Sequence, residues 1–149
     1  MNTENDTPRR SRHIGVHVRR TAEDVYAFAS VPENMPAWAH GLGRSLERTG
    51  GHWVAESSPM GRVVVDFAPV NELGVLDHDV TLPSGEVVHN PLRVIADGTE
   101  SEVVFTLRRR PGMSDAEFAR DADMVTADLT RLKDLLEGDT ETEGEGEAG

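Results

Sequence analysis

Apolar residues are most regularly spaced in the last third of the chain, where Phe118, Ala122, Val125, Leu129, Leu132 and Leu136 recur at steps of four and three. That spacing gathers all six on one face of an α-helix of roughly five turns. Ser114 and Glu117 precede the stripe as a capping box, the hydroxyl serving one free N–H and the carboxylate another. A stripe this long must lie against something large.

The rest of the chain supplies it. Ile14, Val16 and Val18 alternate with His13, Gly15, His17 and Arg19, so Arg12–Arg20 reads as a half-buried strand. Thr21 and Asp24 form a similar capping pair for a short helix from about Thr21 to Ser30, with Val25, Phe28 and Ala29 at helical spacing. Pro32 and Pro36 then make Pro32–Ala39 a second short helix or turn that carries Met35 and Trp38 inward, and His40-Gly41-Leu42-Gly43 ends it.

From there to Arg110 the pattern is a meander of short β-type runs: Ser45–Thr49, His52–Ser57, Arg62–Ala68, Val75–Leu82, Glu86–Ile95 and Glu102–Arg109. Turn chemistry separates them, from Gly50-Gly51 to Asp97-Gly98-Thr99. The expected architecture is α+β, a seven-stranded antiparallel sheet curved around the C-terminal helix, with two short helices between strands 1 and 2. Asn90-Pro91 interrupts the sixth run, and a proline inside a sheet marks an edge or a bulge. We read it as the bend that curls the sheet; a bulge there would switch the face used by Leu92 and Val94, and would re-aim Asn90 or Arg93.

A flexible segment of residues 1–11 is expected before the domain of residues 12–138. Residues 139–149 are expected to form a disordered acidic tail, because the Thr/Glu/Gly repeat has nothing to bury. Six carboxylates lie between Glu137 and Gly149, and without them the formal charge of −12 is halved. The remaining body is still acidic, which disfavours nucleic acid and anionic membranes as partners. Without cysteine, thiol nucleophiles, zinc-thiolate sites and iron–sulfur clusters are excluded. No run approaches the ~18 apolar residues of a membrane span and Met1–Arg12 lacks a signal-peptide core, so a cytoplasmic protein is expected.

The element order resembles the helix-grip fold of the START / polyketide-cyclase superfamily, also called the birch-pollen-allergen-like fold, over nearly the whole chain. The stretches Gly74-Val75-Leu76-Asp77-His78-Asp79-Val80, Asn90-Pro91-Leu92-Arg93-Val94 and Pro111-Gly112-Met113-Ser114-Asp115-Ala116-Glu117-Phe118 are similar to a bacterial branch of polyketide cyclase-like proteins. The resemblance implies a cavity between sheet and last helix that holds lipids, polyketides or other apolar compounds. Fold alone does not choose among carriers, cyclases and chaperone activators.

His78 is the sharpest candidate for chemistry. It shares a strand face with Leu76, Val80 and Leu82, so its imidazole would look into an apolar chamber as an acid or base. Asp77 and Asp79 fall on the opposite face, which argues against a metal site with His78. His89 would meet His78 only if the strand register placed them opposite. Trp38, Trp53, Phe67, Phe105 and Met124, with Tyr26 and Met60, are the large residues expected to line the chamber, with Asn90 as a polar contact. Arg108-Arg109-Arg110 reads as a solvated strand end.

The leading expectation is therefore a binding protein for a small apolar molecule, without a cofactor. An aromatase/cyclase or dehydratase-like enzyme using His78 is the first alternative, and a chaperone-activator-like interaction module acting through the acidic tail is the second. The sequence leaves a homodimer open.

Overall fold

The computed structural model describes residues 11–40, 45–57 and 61–148. Its elements are β1 (Ser11–Val18), α1 (Ala22–Ala29), a 3-10 helix (Pro32–Ala37), β2 (Leu46–Thr49), β3 (His52–Ser57) and β4 (Gly61–Phe67), then β5 (His78–Thr81), β6 (Val87–Asn90), β7 (Leu92–Asp97), β8 (Glu100–Arg108) and α2 (Asp115–Ala148). The strands pair antiparallel throughout.

They do not form the single curved seven-stranded sheet expected from the sequence. Two sheets are present, one of three strands in the order β1-β8-β7 and one of five in the order β2-β3-β4-β5-β6. The division falls at Pro91, which cuts the expected strand Glu86–Ile95 into β6 and β7. Proline has no N–H to continue a ladder. Before it, Asn90 pairs with His78 of β5; after it, Leu92 pairs with Phe105 of β8. The neighbouring groups stay bonded: the Pro91 carbonyl accepts from Thr106 N at 3.0 Å, and Leu92 N–H donates to the Asp77 carboxylate at 2.9 Å. One strand thus changes sheets at a corner.

The faces do not switch there. Leu92 and Val94 are buried, in phase with half-buried Val88 and Asn90, while Arg93 is exposed. Across the same corner, the expected strand Val75–Leu82 is divided as well. Only His78–Thr81 joins the five-stranded sheet, whereas Gly74–Leu76 lies along β7, with Val94 N donating to Gly74 O at 2.9 Å and Leu76 N to Leu92 O at 2.8 Å. That strip covers an edge of β7 that would otherwise be open.

The remaining local predictions explain the elements well. Gly50 and Gly51, both at positive φ (58° and 83°), make the tight hairpin between β2 and β3. Ser114 and Glu117 exchange both capping bonds, at 2.8 and 3.1 Å. Thr21 caps α1 through Asp24 N, but the Asp24 carboxylate turns to the Arg20 guanidinium instead of completing a box. The helical backbone of α2 continues to Ala148, past Leu136, where the apolar stripe ends.

The stripe of α2 packs chiefly on β1 and, to a lesser extent, β8. Leu129, Leu132 and Leu136 join Val18, Val25 and Val103 in a core that also takes Ala55, Val63 and Val65 from the five-stranded sheet. One core therefore spans both sheets. Phe118, Ala122 and Leu107 form a smaller cluster at the start of the helix.

Candidate functional site

Because α2 rests mainly on the three-stranded sheet, space is left between it and the β5–β6 end of the other. A cavity of about 270 Å³ occupies that space. Its floor is His78, Val80 and Leu82 of β5 with Val88 and Asn90 of β6. Phe105 and Leu107 of β8 form one side, and Met35, Trp38 and Ala39 another. Met124, Val125 and Leu129 of α2 close it from above.

Strand alternation places His78 here, as expected. The residue is 4% exposed, between the rings of Phe67 and Phe105 at centroid distances of 5.9 and 6.4 Å. Its Nδ1 lies 3.1 Å from the Leu76 carbonyl. A carbonyl only accepts, so Nδ1 carries the proton and Nε2 is a bare acceptor. The Asn90 amide lies 3.4 Å from Nε2 and turns its NH₂ toward it. Burial pushes the histidine pKa below its ordinary value, and the Leu76 carbonyl and the carboxylates of Asp77 and Asp79 oppose that only in part. Long-range proton–nitrogen NMR should accordingly show His78 as the neutral Nδ1–H form at about pH 6.5, where a free imidazole is half charged. A charged imidazole at that pH would contradict the burial.

Asp77 and Asp79 face outward. Asp77 holds Arg93 in a bidentate pair at 2.8 and 2.9 Å, and Asp79 accepts from His89 Nδ1 at 2.5 Å. Since the register sets His89 opposite Asp79 and Asn90 opposite His78, His89 belongs to the outer face and not to the cavity. Among the described residues, no group of three His, Cys, Asp or Glu side chains is arranged to hold a metal ion.

Of the expected lining residues, Trp38, His78, Asn90, Phe105 and Met124 come together, Met124 being 45% exposed at the rim. Trp53 is half-buried opposite Val65 and does not border the cavity. Phe67 stands behind His78 with Tyr26 around a smaller void, where the Tyr26 hydroxyl accepts from Asn71 N at 2.9 Å. Met60 lies outside the described residues.

The sequence reading missed the charged rim. Arg108, the last residue of β8, and Arg110, two residues beyond it, border the cavity together, and Asp121 and Asp128, seven apart, do so from α2. The spacing of Asp121 and Asp128 was the available signal, since seven residues put both on one side of a helix. Arg110 is tied to Glu86 at 2.8 and 3.1 Å, whereas Arg109 turns away to pair with Asp115 and cover the Phe118 ring. Asp128 accepts from Arg131 at 2.5 Å and from His40 N at 3.3 Å. Burial pushes the Asp121 carboxyl up, against the pull of Arg110 and Arg120.

Among the described residues, no helix is long and apolar enough to cross a membrane. Solved structures similar in fold include XoxI from Bacillus cereus, at 11% identity and TM-score 0.67, covering 86% of this chain and 96% of that one. A START superfamily protein from Mycobacterium smegmatis matches at 12% identity and TM-score 0.65, covering 87% and 99%. The Aha1 dimer from Colwellia psychrerythraea matches at 12% and 0.67, covering 85% and 95%. At such identities the likeness shows the fold alone. No curated protein matches the chain. The sequence model for polyketide cyclase / dehydrase and lipid transport proteins matches residues 11–137, nearly all of the folded chain. With that match over almost the whole of the described chain, the chain belongs to the polyketide cyclase / dehydrase and lipid transport family.

Proposed function

We propose that the protein binds a small, largely apolar molecule in the cavity between α2 and the β5–β6 floor. The observation that carries this reading is the space itself, about 270 Å³ where sheet and helix would otherwise pack solidly. Empty apolar volume forfeits contacts that a ligand restores. The size favours a compact occupant of roughly two fused rings over a whole lipid, since a cavity of roughly 150 Å³ already takes benzene.

Filling the space should abolish binding. Val125 is half-buried on α2 and borders the cavity, so Val125→Trp is expected to weaken a neutral apolar fluorophore such as N-phenyl-1-naphthylamine at least about tenfold, with the far-UV circular dichroism unchanged. Val88→Phe repeats the test from the opposite wall. Folded variants that bind the fluorophore as before would remove the cavity from consideration as the site.

A proton-transfer role for His78 is the second reading, favoured by an unprotonated Nε2 on a residue that borders the cavity. Its weakness is that burial lowers the basicity of that nitrogen, and Asn90 already engages it.

A further inference from the structure

The polar groups on the cavity floor are ordered by one fixed polarity that passes from residue to residue. The Leu76 carbonyl only accepts, so His78 keeps its proton on Nδ1, 3.1 Å away, and Nε2 is left an acceptor. The β5–β6 register sets Asn90 opposite His78, with the amide nitrogen 3.4 Å from Nε2. Turning that amide over would bring its oxygen against the bare nitrogen, two acceptors face to face. The NH₂ therefore stays on His78, and Asn90 Oδ1 is left over.

That oxygen has no hydrogen-bond partner among the described residues, and it is not walled off by protein atoms as Ser101 Oγ and Trp38 Nε1 are. Asn90 is half-buried, in phase with Val88 and Leu92 on the inner face, and it borders the cavity, so the opening beside Oδ1 is the cavity itself. An acceptor set among apolar neighbours gains a hydrogen bond from whatever fills the space with a donor. His78 is neutral, and Asp77 and Asp79 are engaged on the outer face, so the floor has no carboxylate to receive an ammonium. A cation there would shed its water uncompensated, whereas an uncharged donor would lose little. The charged residues of the border serve a different place. Arg110 and Asp128 are held by Glu86 and Arg131, Arg108 is exposed at the end of β8, and Asp121 stands on α2, so a group paired with any of them leaves Oδ1 unanswered.

We infer that the ligand carries an uncharged hydrogen-bond donor, a hydroxyl or ring N–H on an otherwise apolar frame, and that Asn90 Oδ1 receives it. This rests on the cavity being the binding site. It makes Asn90 the residue that separates a hydroxylated ring compound from its methyl ether.

Full-length protein is titrated with 2-naphthol and with 2-methoxynaphthalene, which share a frame and differ in the donor. The ether is the more apolar of the two, so a pocket without an acceptor would prefer it. The naphthol is expected to bind about tenfold more tightly, and in carbon-13-labelled protein it alone should move the Asn90 carboxamide carbon downfield. Asn90→Leu should bring the two affinities together. Equal affinities in the unmodified chain, or a preference for the naphthol that survives Asn90→Leu, overturns the acceptor assignment and leaves the cavity reading standing. If neither compound binds or shifts signals of Val80, Val88 or Val125, the cavity reading fails and takes the inference with it. Should Asn90→Leu not fold, the Asn90 carbon shift in the unmodified chain decides the matter.

Discussion

Alanine at Gly74 is expected to destabilise the protein by about 3 kcal/mol or more, well beyond the effect of the same change at Gly98. Both glycines have positive φ, 76° and 66°, so both substitutions incur the left-handed backbone cost of roughly 1–2 kcal/mol. They differ in what surrounds them. A Cβ at Gly98 meets nothing within 4 Å, whereas one at Gly74 falls 2.3 Å from the Val94 carbonyl oxygen and 3.3 Å from its carbon. Those are backbone atoms of β7, and Val94 is itself a core residue, 5% exposed. The only relief is to part the Gly74–Leu76 strip from β7, which breaks the Val94 N–H bond to Gly74 O and opens the seam between the sheets. Urea unfolding of the two variants measures the contrast. Equal midpoint shifts would mean that the close approach carries no energy.

That seam marks the limit of what the sequence discloses. Gly74 is legible as the end of a turn, but its closeness to Val94 depends on a pairing between residues far apart in the chain. Pro91 is legible as an interruption, yet its consequence, a strand that changes sheets, follows from which partner each half finds. Asp77 makes this visible: its carboxylate takes the Leu92 N–H just past the break, a bond no local pattern announces. The last helix is different. Its stripe is set by a spacing internal to the element, so Phe118, Ala122, Leu129, Leu132 and Leu136 are buried as read.

The site divides along the same line. His78 is anchored by Leu76 and Val80, which share its face and cannot both point to solvent. In β6 the run Val87-Val88-His89-Asn90 offers an apolar residue in either phase, so alternation alone names His89 and Asn90 without choosing. The pairing with β5 chooses Asn90. Trp53 shares the inward face of β3 with buried Ala55 and packs opposite Val65, but no residue of that strand borders the cavity, a matter of strand placement that alternation does not reveal. Trp38 is legible as an inward residue, and it is buried where the 3-10 helix meets the cavity.

Glu137 will prove to be a structural carboxylate, although composition groups it with the acidic residues that follow. It is 6% exposed and accepts from Arg19 N at 2.8 Å, Arg19 Nη2 at 3.1 Å and Lys133 Nζ at 2.7 Å. Lys133 also donates to His17 O, and Arg20 Nη1 to Leu136 O, so the end of β1 is stitched to the last apolar turn of α2. Burial alone would raise the Glu137 pKa; the bonds from Arg19 and Lys133 outweigh it and hold the group at about 2, below its ordinary 4.5. The folded state therefore binds this proton less readily than the unfolded chain does. The resulting stability, on the order of 3 kcal/mol, is fully present above the unfolded value and drains away as pH falls from 4.5 toward 2. Glu137→Gln keeps the shape and removes the charge, leaving Arg19 and Lys133 without their anion. The variant should be less stable than the parent by about 3 kcal/mol at about pH 7, and the gap should shrink by about half or more at about pH 3. Urea midpoints of both proteins at the two pH values test this. A gap of equal size at both would show that the carboxylate is not ionised against Arg19 and Lys133, and that the helix is held by its apolar stripe alone.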